Sequence, residues 1–182
     1  MVDYIAKIKP INADKIETQA HGIATFSENG NSLHIHVEMF DTPANIEHWE
    51  HFHGFPDGKQ AHVPMLMHDV NHDGFIDLPE TKAVSGTTMV PFDDAPQEMN
   101  IPHDGYPVTD KYGHDKDVPL KDLQAKFKQA FGSDDLQLDK LVVYVHGVSA
   151  DLKLPSSVAG NVMSYDAHTT LPIAAGEIKL AH

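Results

Sequence analysis

From Leu33 to Met39 the chain alternates without a break. Leu33, Ile35, Val37 and Met39 are apolar, while His34, His36 and Glu38 between them are polar, the period-two pattern of a strand with one face in a core. Gly22 to Phe26 reads as a preceding strand, and Glu28-Asn29-Gly30-Asn31 supplies hairpin chemistry between the two. Leu141 to Val145 is a continuous apolar run that ends on His146, and a last apolar segment follows from Leu171 to Ile178. The period changes once, where Leu120, Leu123, Phe127 and Phe131 recur at helical spacing between Asp117-Val118-Pro119 and Gly132. This predicts one amphipathic helix in an insertion over about 117–132, with Asp117 as N-cap, Pro119 in the first turn and a terminal glycine. Residues 54 to 116 hold most of the prolines, glycines and aspartates and read as a loop-rich excursion. Several short strands, one late helix and long loops predict an all-β sandwich or barrel over an α/β fold.

Length and composition narrow this further. At 182 residues with 41% apolar content, the chain is expected to form a single domain over 1–182 with a core that needs neither disulfide nor obligatory metal. Cysteine is absent, so transition-metal chemistry must rest on imidazole and carboxylate, and the fourteen histidines gain weight. All thirteen basic residues are lysine, against a formal charge of −14. That balance argues against a nucleic-acid partner and favours a cation, while an anionic substrate needs a local positive patch. No stretch approaches the length of a membrane span, and the first twenty residues lack the apolar core of a signal peptide. As written the chain reads as soluble, either cytoplasmic or exported with its signal removed.

His51 and His53 stand two apart in Glu50-His51-Phe52-His53-Gly54. On a strand they share a face with Cα atoms roughly 7 Å apart, and His146 at the end of another strand can supply a third ligand to one ion. His34-x-His36 is a competing pair on the polar face of its own strand. A second motif lies in the excursion. Asp69-Val70-Asn71-His72-Asp73-Gly74-Phe75-Ile76-Asp77-Leu78-Pro79-Glu80 matches an EF-hand calcium loop at six positions and carries the apolar residue at the eighth. Asp69, Asn71, Asp73, Asp77 and Glu80 offer side-chain oxygens, Phe75 its carbonyl, and Gly74 the sharp turn. Pro64 and Pro79 argue against a pair of long flanking helices, so the loop reads as a structural calcium staple in an insertion over about 62–84.

Four segments resemble the copper/zinc superoxide dismutases and their copper-only relatives. Gly22-Ile23-Ala24-Thr25-Phe26 is similar to an early family strand. His48-Trp49-Glu50-His51-Phe52-His53 has the family spacing His-x-x-His-x-His, Leu141 to His146 resembles the strand ending in Val-His, and Ala174-Ala175-Gly176-Glu177-Ile178 is similar to the closing segment. The resemblance implies a Greek-key β-barrel with His51, His53 and His146 on copper or zinc. It implies that His48 holds its strand through a backbone hydrogen bond, and it allows a homodimer. His62 is the candidate for a fourth copper ligand. The departures are equally specific: Met65 stands where the zinc loop needs an aspartate, Ala175 replaces a cysteine, and Pro172 occupies the position of the active-site arginine. The resemblance with its departures therefore implies either a dismutase acting on superoxide or a non-catalytic metal-binding domain for storage, buffering or interaction, and the EF-hand-type motif at residues 69–80 adds calcium in both cases.

Overall fold

A computed structural model describes all of residues 1–182. Its strands are β1 (Val2–Pro10), β2 (His21–Glu28), β3 (Ser32–Phe40), β4 (Glu50–Gly54), β5 (Thr87–Pro91), β6 (Lys111–Pro119), β7 (Val142–His146) and β8 (Pro172–Leu180). The helices are α1 (Ala13–Ile16), α2 (Leu78–Ser85), α3 (Leu120–Phe131) and α4 (Ala167–Thr170). All strand pairs are antiparallel, in the order β5-β4-β7-β8-β1-β2-β3-β6. The β3–β4 and β5–β6 connections cross between opposite ends of that order.

The sheet curls on itself. Three strands separate β2 from β4, yet the rings of Phe26 and Phe52 lie 5.0 Å apart, and both meet Phe92, at 5.9 and 4.8 Å. The edge strand β6 reaches across the interior as well: Tyr112 and His114 both donate to the buried carboxylate of Glu50 on β4. One cluster of 31 buried apolar residues, from Ala6 to Ile178, fills the inside of this mostly antiparallel, barrel-like sheet. Alternation puts Leu33, Ile35, Val37 and Met39 within it and leaves His34, His36 and Glu38 on the outer face.

The excursion is less irregular than its composition suggests, since α2, β5 and β6 all lie within residues 54–119. Asp117 is not an N-cap: it pairs with His34 as part of β6, Pro119 takes the cap position, and α3 closes on Gly132 at φ 88°. Burial of Val118 between β3 and the core outweighs the local helix-start signal. Only one flank of the calcium-type loop is an α-helix. The other is a three-residue 3₁₀ turn, Leu66–His68, in keeping with Pro64 before it.

A smaller apolar cluster forms on the outer face of β7 and β8, where Ile11, Ala61 and Ile76 meet Val142, Tyr144 and Ala175. Ile76 thus brings the insertion onto the face of β7 that carries Tyr144, and α2 lies beside His53. No helix is long and apolar enough to cross a membrane.

Candidate metal centre

On β4, Phe52 points into the barrel, so its neighbours His51 and His53 point out, beneath the insertion. β7 pairs with β4 through His51 opposite Tyr144, and a bulge at Val145/His146 ends its ladder with β8, re-aiming the last side chain of the strand. The result is a near-equilateral triangle of imidazoles, with ring centroids 5.3, 5.6 and 6.0 Å apart. One ring nitrogen from each of His51, His53 and His146 lies within 4.8 Å of the other two. The three residues are 1 or 2% exposed.

Hydrogen bonds set which ring nitrogens keep a free lone pair. Tyr106 donates its hydroxyl proton to the Ile101 carbonyl at 2.8 Å, so its oxygen accepts from His51 Nε2–H at 3.1 Å, which leaves the His51 Nδ1 lone pair free. His146 Nδ1–H donates to the Thr170 carbonyl at 2.8 Å and leaves Nε2 free. His53 Nε2 lies 3.4 Å from the Thr88 hydroxyl, a longer contact. Three buried nitrogens, His51 Nδ1, His53 Nδ1 and His146 Nε2, have no partner. Buried polar atoms are normally satisfied, and here three are not, on three rings close enough together that the group could hold one metal ion.

Burial also keeps these rings neutral. It lowers the pKa of His51 and His53 well below the ordinary value, with neighbouring imidazoles adding to the effect, and lowers that of His146 to about 4. Neutral imidazole is the form that binds metal. Around the triangle, Tyr144 packs 4.4 Å from His53 and 5.7 Å from His146. Ser85 at the end of α2 donates to the His62 carbonyl and accepts from Tyr144, which ties the helix to the site. Gly86 follows with φ 79°, and a Cβ there would strike the Gly54 carbonyl. Only glycine lets the chain leave α2 this close to the end of β4.

His48 behaves as a strap: its ring nitrogens lie 3.0 Å from the His146 carbonyl and 2.7 Å from that of Pro43. His62 does not join the triangle. Its Nδ1 lies 2.8 Å from Glu177, and the ring is largely exposed. His114 is mostly buried, with Nε2 2.6 Å from Glu50. Trp49 is buried among Tyr106 and Tyr165, outside the main core.

In the calcium-type loop the oxygens turn inward onto the loop's own backbone. Asp69 accepts from the amides of Asp73 and Gly74, Asn71 from Asp73, and Asp73 from Phe75. Glu80 accepts from Val70, Asn71 and Asp77, while Asp77 caps α2. Gly74 has φ 89°, the turn that its position requires. These carboxylates do not converge on a point as the histidines do.

A cleft of about 330 Å³ opens beside His53 between α2, the start of β5 and Gly160-Asn161. Lys82 is the one charged lysine or carboxylate-class side chain in its wall, an uncommon environment in a chain of formal charge −14. Tyr106, Thr170 and Lys82 carried no local signal in the sequence, since each is brought to the histidines from a distant segment. No protein-family model and no curated protein matches this chain, so the site is interpreted from its own chemistry.

Proposed function

We propose that the protein binds copper through His51, His53 and His146 on a Greek-key barrel of the superoxide dismutase type, and that it dismutates superoxide there. The observation that carries this reading is the convergence of three buried, neutral imidazoles with unpartnered nitrogens. Imidazole suits copper in both common oxidation states. Copper held by His51, His53 and His146 would supply a one-electron couple, by which one superoxide is oxidised to dioxygen and another, taking two protons from solvent, is reduced to hydrogen peroxide. The protein's part is positional. Tyr106 and Thr170 fix the ring tautomers, as groups behind metal-bound histidines generally do, and His48 fastens the two ligand strands together. The insertion excludes bulk water, and the cleft beside His53 admits a small anion past Lys82.

The same reading assigns calcium to Asp69, Asn71, Asp73, Phe75, Asp77 and Glu80. Its support is the six-position match, the positive φ of Gly74 and the burial of Asp69 and Asp77, at 6% and 3% exposed. Calcium would replace backbone amides as the partner of these oxygens and stiffen the segment that leads into α2.

A metal-holding role without turnover has an observation of its own. Pro172 stands in the arginine position, and one lysine is a modest attractor for an anion in so acidic a chain.

The test is to load metal-free protein with copper, wash it, and count copper per chain in wild type and in a His51→Ala/His53→Ala/His146→Ala variant. One copper retained by wild type alone is expected, and equal retention overturns the site. Accelerated superoxide decay by the loaded wild type then supports the enzyme, while retention without acceleration leaves the metal-holding role. Asp73→Ala should remove the calcium-dependent rise in melting temperature and leave the copper count unchanged.

A further inference from the structure

The outer face of β3 and β6 carries a second constellation of metal-ligating groups. Register puts His34 opposite Asp117 and His36 opposite Asp115. Asp115 Oδ1 lies 3.1 Å from His34 Nε2 and 2.9 Å from His36 Nδ1, so two imidazoles two residues apart share one carboxylate oxygen. The remaining nitrogens face further carboxylates: His34 Nδ1 is 2.8 Å from Asp117, and His36 Nε2 is 3.6 Å from Glu38. We infer that His34, His36 and Asp115 form a surface site for a divalent transition-metal cation of the zinc class, separate from the buried triangle.

The distances carry the argument. Ligand bonds to zinc are about 2.0 to 2.2 Å, so two donors at a tetrahedral angle on one ion stand about 3.3 Å apart. The two nitrogen–oxygen contacts already approximate two edges of such a polyhedron. The three ligand atoms are not yet grouped as tightly as those of the triangle. They meet pairwise at Asp115 Oδ1, and rotation of partly exposed rings closes the third edge. Asp117 holds His34 by the nitrogen that the metal does not use, the carboxylate–histidine–metal arrangement that orients the ring and raises its basicity. Glu38 stands in the corresponding place behind His36.

Charge and ligand type select the ion. Three carboxylates surround two imidazoles with no lysine hydrogen-bonded among them, and the chain as a whole is strongly acidic. Two nitrogen donors disfavour calcium and magnesium, which prefer all-oxygen shells. Side-chain exposures of 39% and 32% for His34 and His36 leave the site open to solvent, so an ion can enter without moving the fold. Since β6 is an edge strand, the metal would also pin it to β3.

The experiment is equilibrium dialysis against zinc with calcium in excess, comparing wild type with His34→Ala/His36→Ala. Both proteins keep the buried triangle, so the difference between them reads the surface site whether or not the triangle binds metal. One additional zinc per chain in wild type is expected. Asp117→Asn should keep that stoichiometry and weaken it about tenfold, an effect that loss of a mere surface ion pair would not produce. Equal zinc counts in wild type and the double variant, with circular dichroism showing both folded, would overturn the inference and leave an ion-pair network that guards a sheet edge.

Discussion

The buried triangle on β4 and β7 and the open cluster on β3 and β6 begin from one device, a His-x-His pair on a strand beside an antiparallel neighbour. The insertion covers the first pair and its neighbours are Tyr144, Phe52 and Tyr106. The second lies in the open among Asp115, Asp117 and Glu38. Burial strips the first rings of water and lowers their pKa, whereas hydrogen bonding to Asp117 raises that of His34. The same spacing thus yields a neutral donor set in one place and rings paired with carboxylates in the other. Spacing nominates ligands, and what covers the strand decides their state.

The largest contrast should appear in stability. Phe52 is the inward side chain between His51 and His53, fully buried against Phe26 and Phe92. Phe52→Ala is expected to cost about 3 to 5 kcal/mol by leaving a cavity, and to reduce copper retention because the ligand strand loses its backing. Urea denaturation with and without copper measures both effects.

Acid should separate the two regions with opposite signs. His146 ordinarily titrates near 6.5 and is lowered to about 4 in the folded protein. Between those values the unfolded chain binds the extra proton, so metal-free stability falls as pH drops through the window, by about 3 kcal/mol for this one residue. His51 and His53 act in the same direction. His34 acts oppositely: its raised pKa contributes stability that is present below the unfolded value and lost as pH rises through the folded one, and solvent screening keeps this contribution small. Melting temperature followed from pH 7 to pH 4 should therefore fall in wild type. The fall should be shallower in a His146→Gln variant, and a parallel pair of curves would contradict the assigned burial of that ring.

How much of this was legible in the sequence follows from the range of the forces involved. The strands at β2, β3 and β7 were visible because alternation or an apolar run records burial locally. The helix at 120–131 was visible from its spacing, and the triangle from two residues on one strand and one at the end of another. β6 was hidden: Lys111, Gly113, Asp115 and Asp117 face outward, its inward residues include Tyr112, His114 and Lys116, and only Val118 reads as core. Its pairing with β3 comes from long-range register. β1 was missed for a related reason, since Lys7 and Lys9 occupy its outward positions. Tyr106, set in Gly105-Tyr106-Pro107 within a loop, gave no indication that it would meet His51. His62, the candidate fourth ligand, is held elsewhere by a partner distant in sequence, Glu177.

Tyr106→Phe sharpens the comparison at intermediate size. The substitution keeps the stacking on Trp49 and removes the oxygen that accepts from His51 Nε2–H. His51 then loses the bond that commits Nδ1 to the centre. Copper affinity should weaken about 10- to 100-fold, read by competition with a chelator of known affinity, while the buried fold is retained. Unchanged affinity would mean that the tautomer of His51 is set by the metal itself.

The smallest effect belongs to the open cluster. Single surface substitutions away from caps and cores usually change stability by under about 0.5 kcal/mol, and exposed ion pairs are screened. His36→Ala should accordingly leave the metal-free denaturation midpoint nearly unchanged, in contrast to Phe52→Ala. Added zinc should raise the melting temperature of wild type more than that of His36→Ala, because a ligand that binds only the folded state stabilises it in proportion to its occupancy. If His36→Ala were as destabilising as a core truncation, the outer histidines would be structural members of the β3–β6 pair. A metal-free midpoint shared by the two proteins, with a difference between them that emerges only on adding zinc, would instead show that exposure leaves this pair of rings available for binding, where burial at the triangle has made the rings part of the fold.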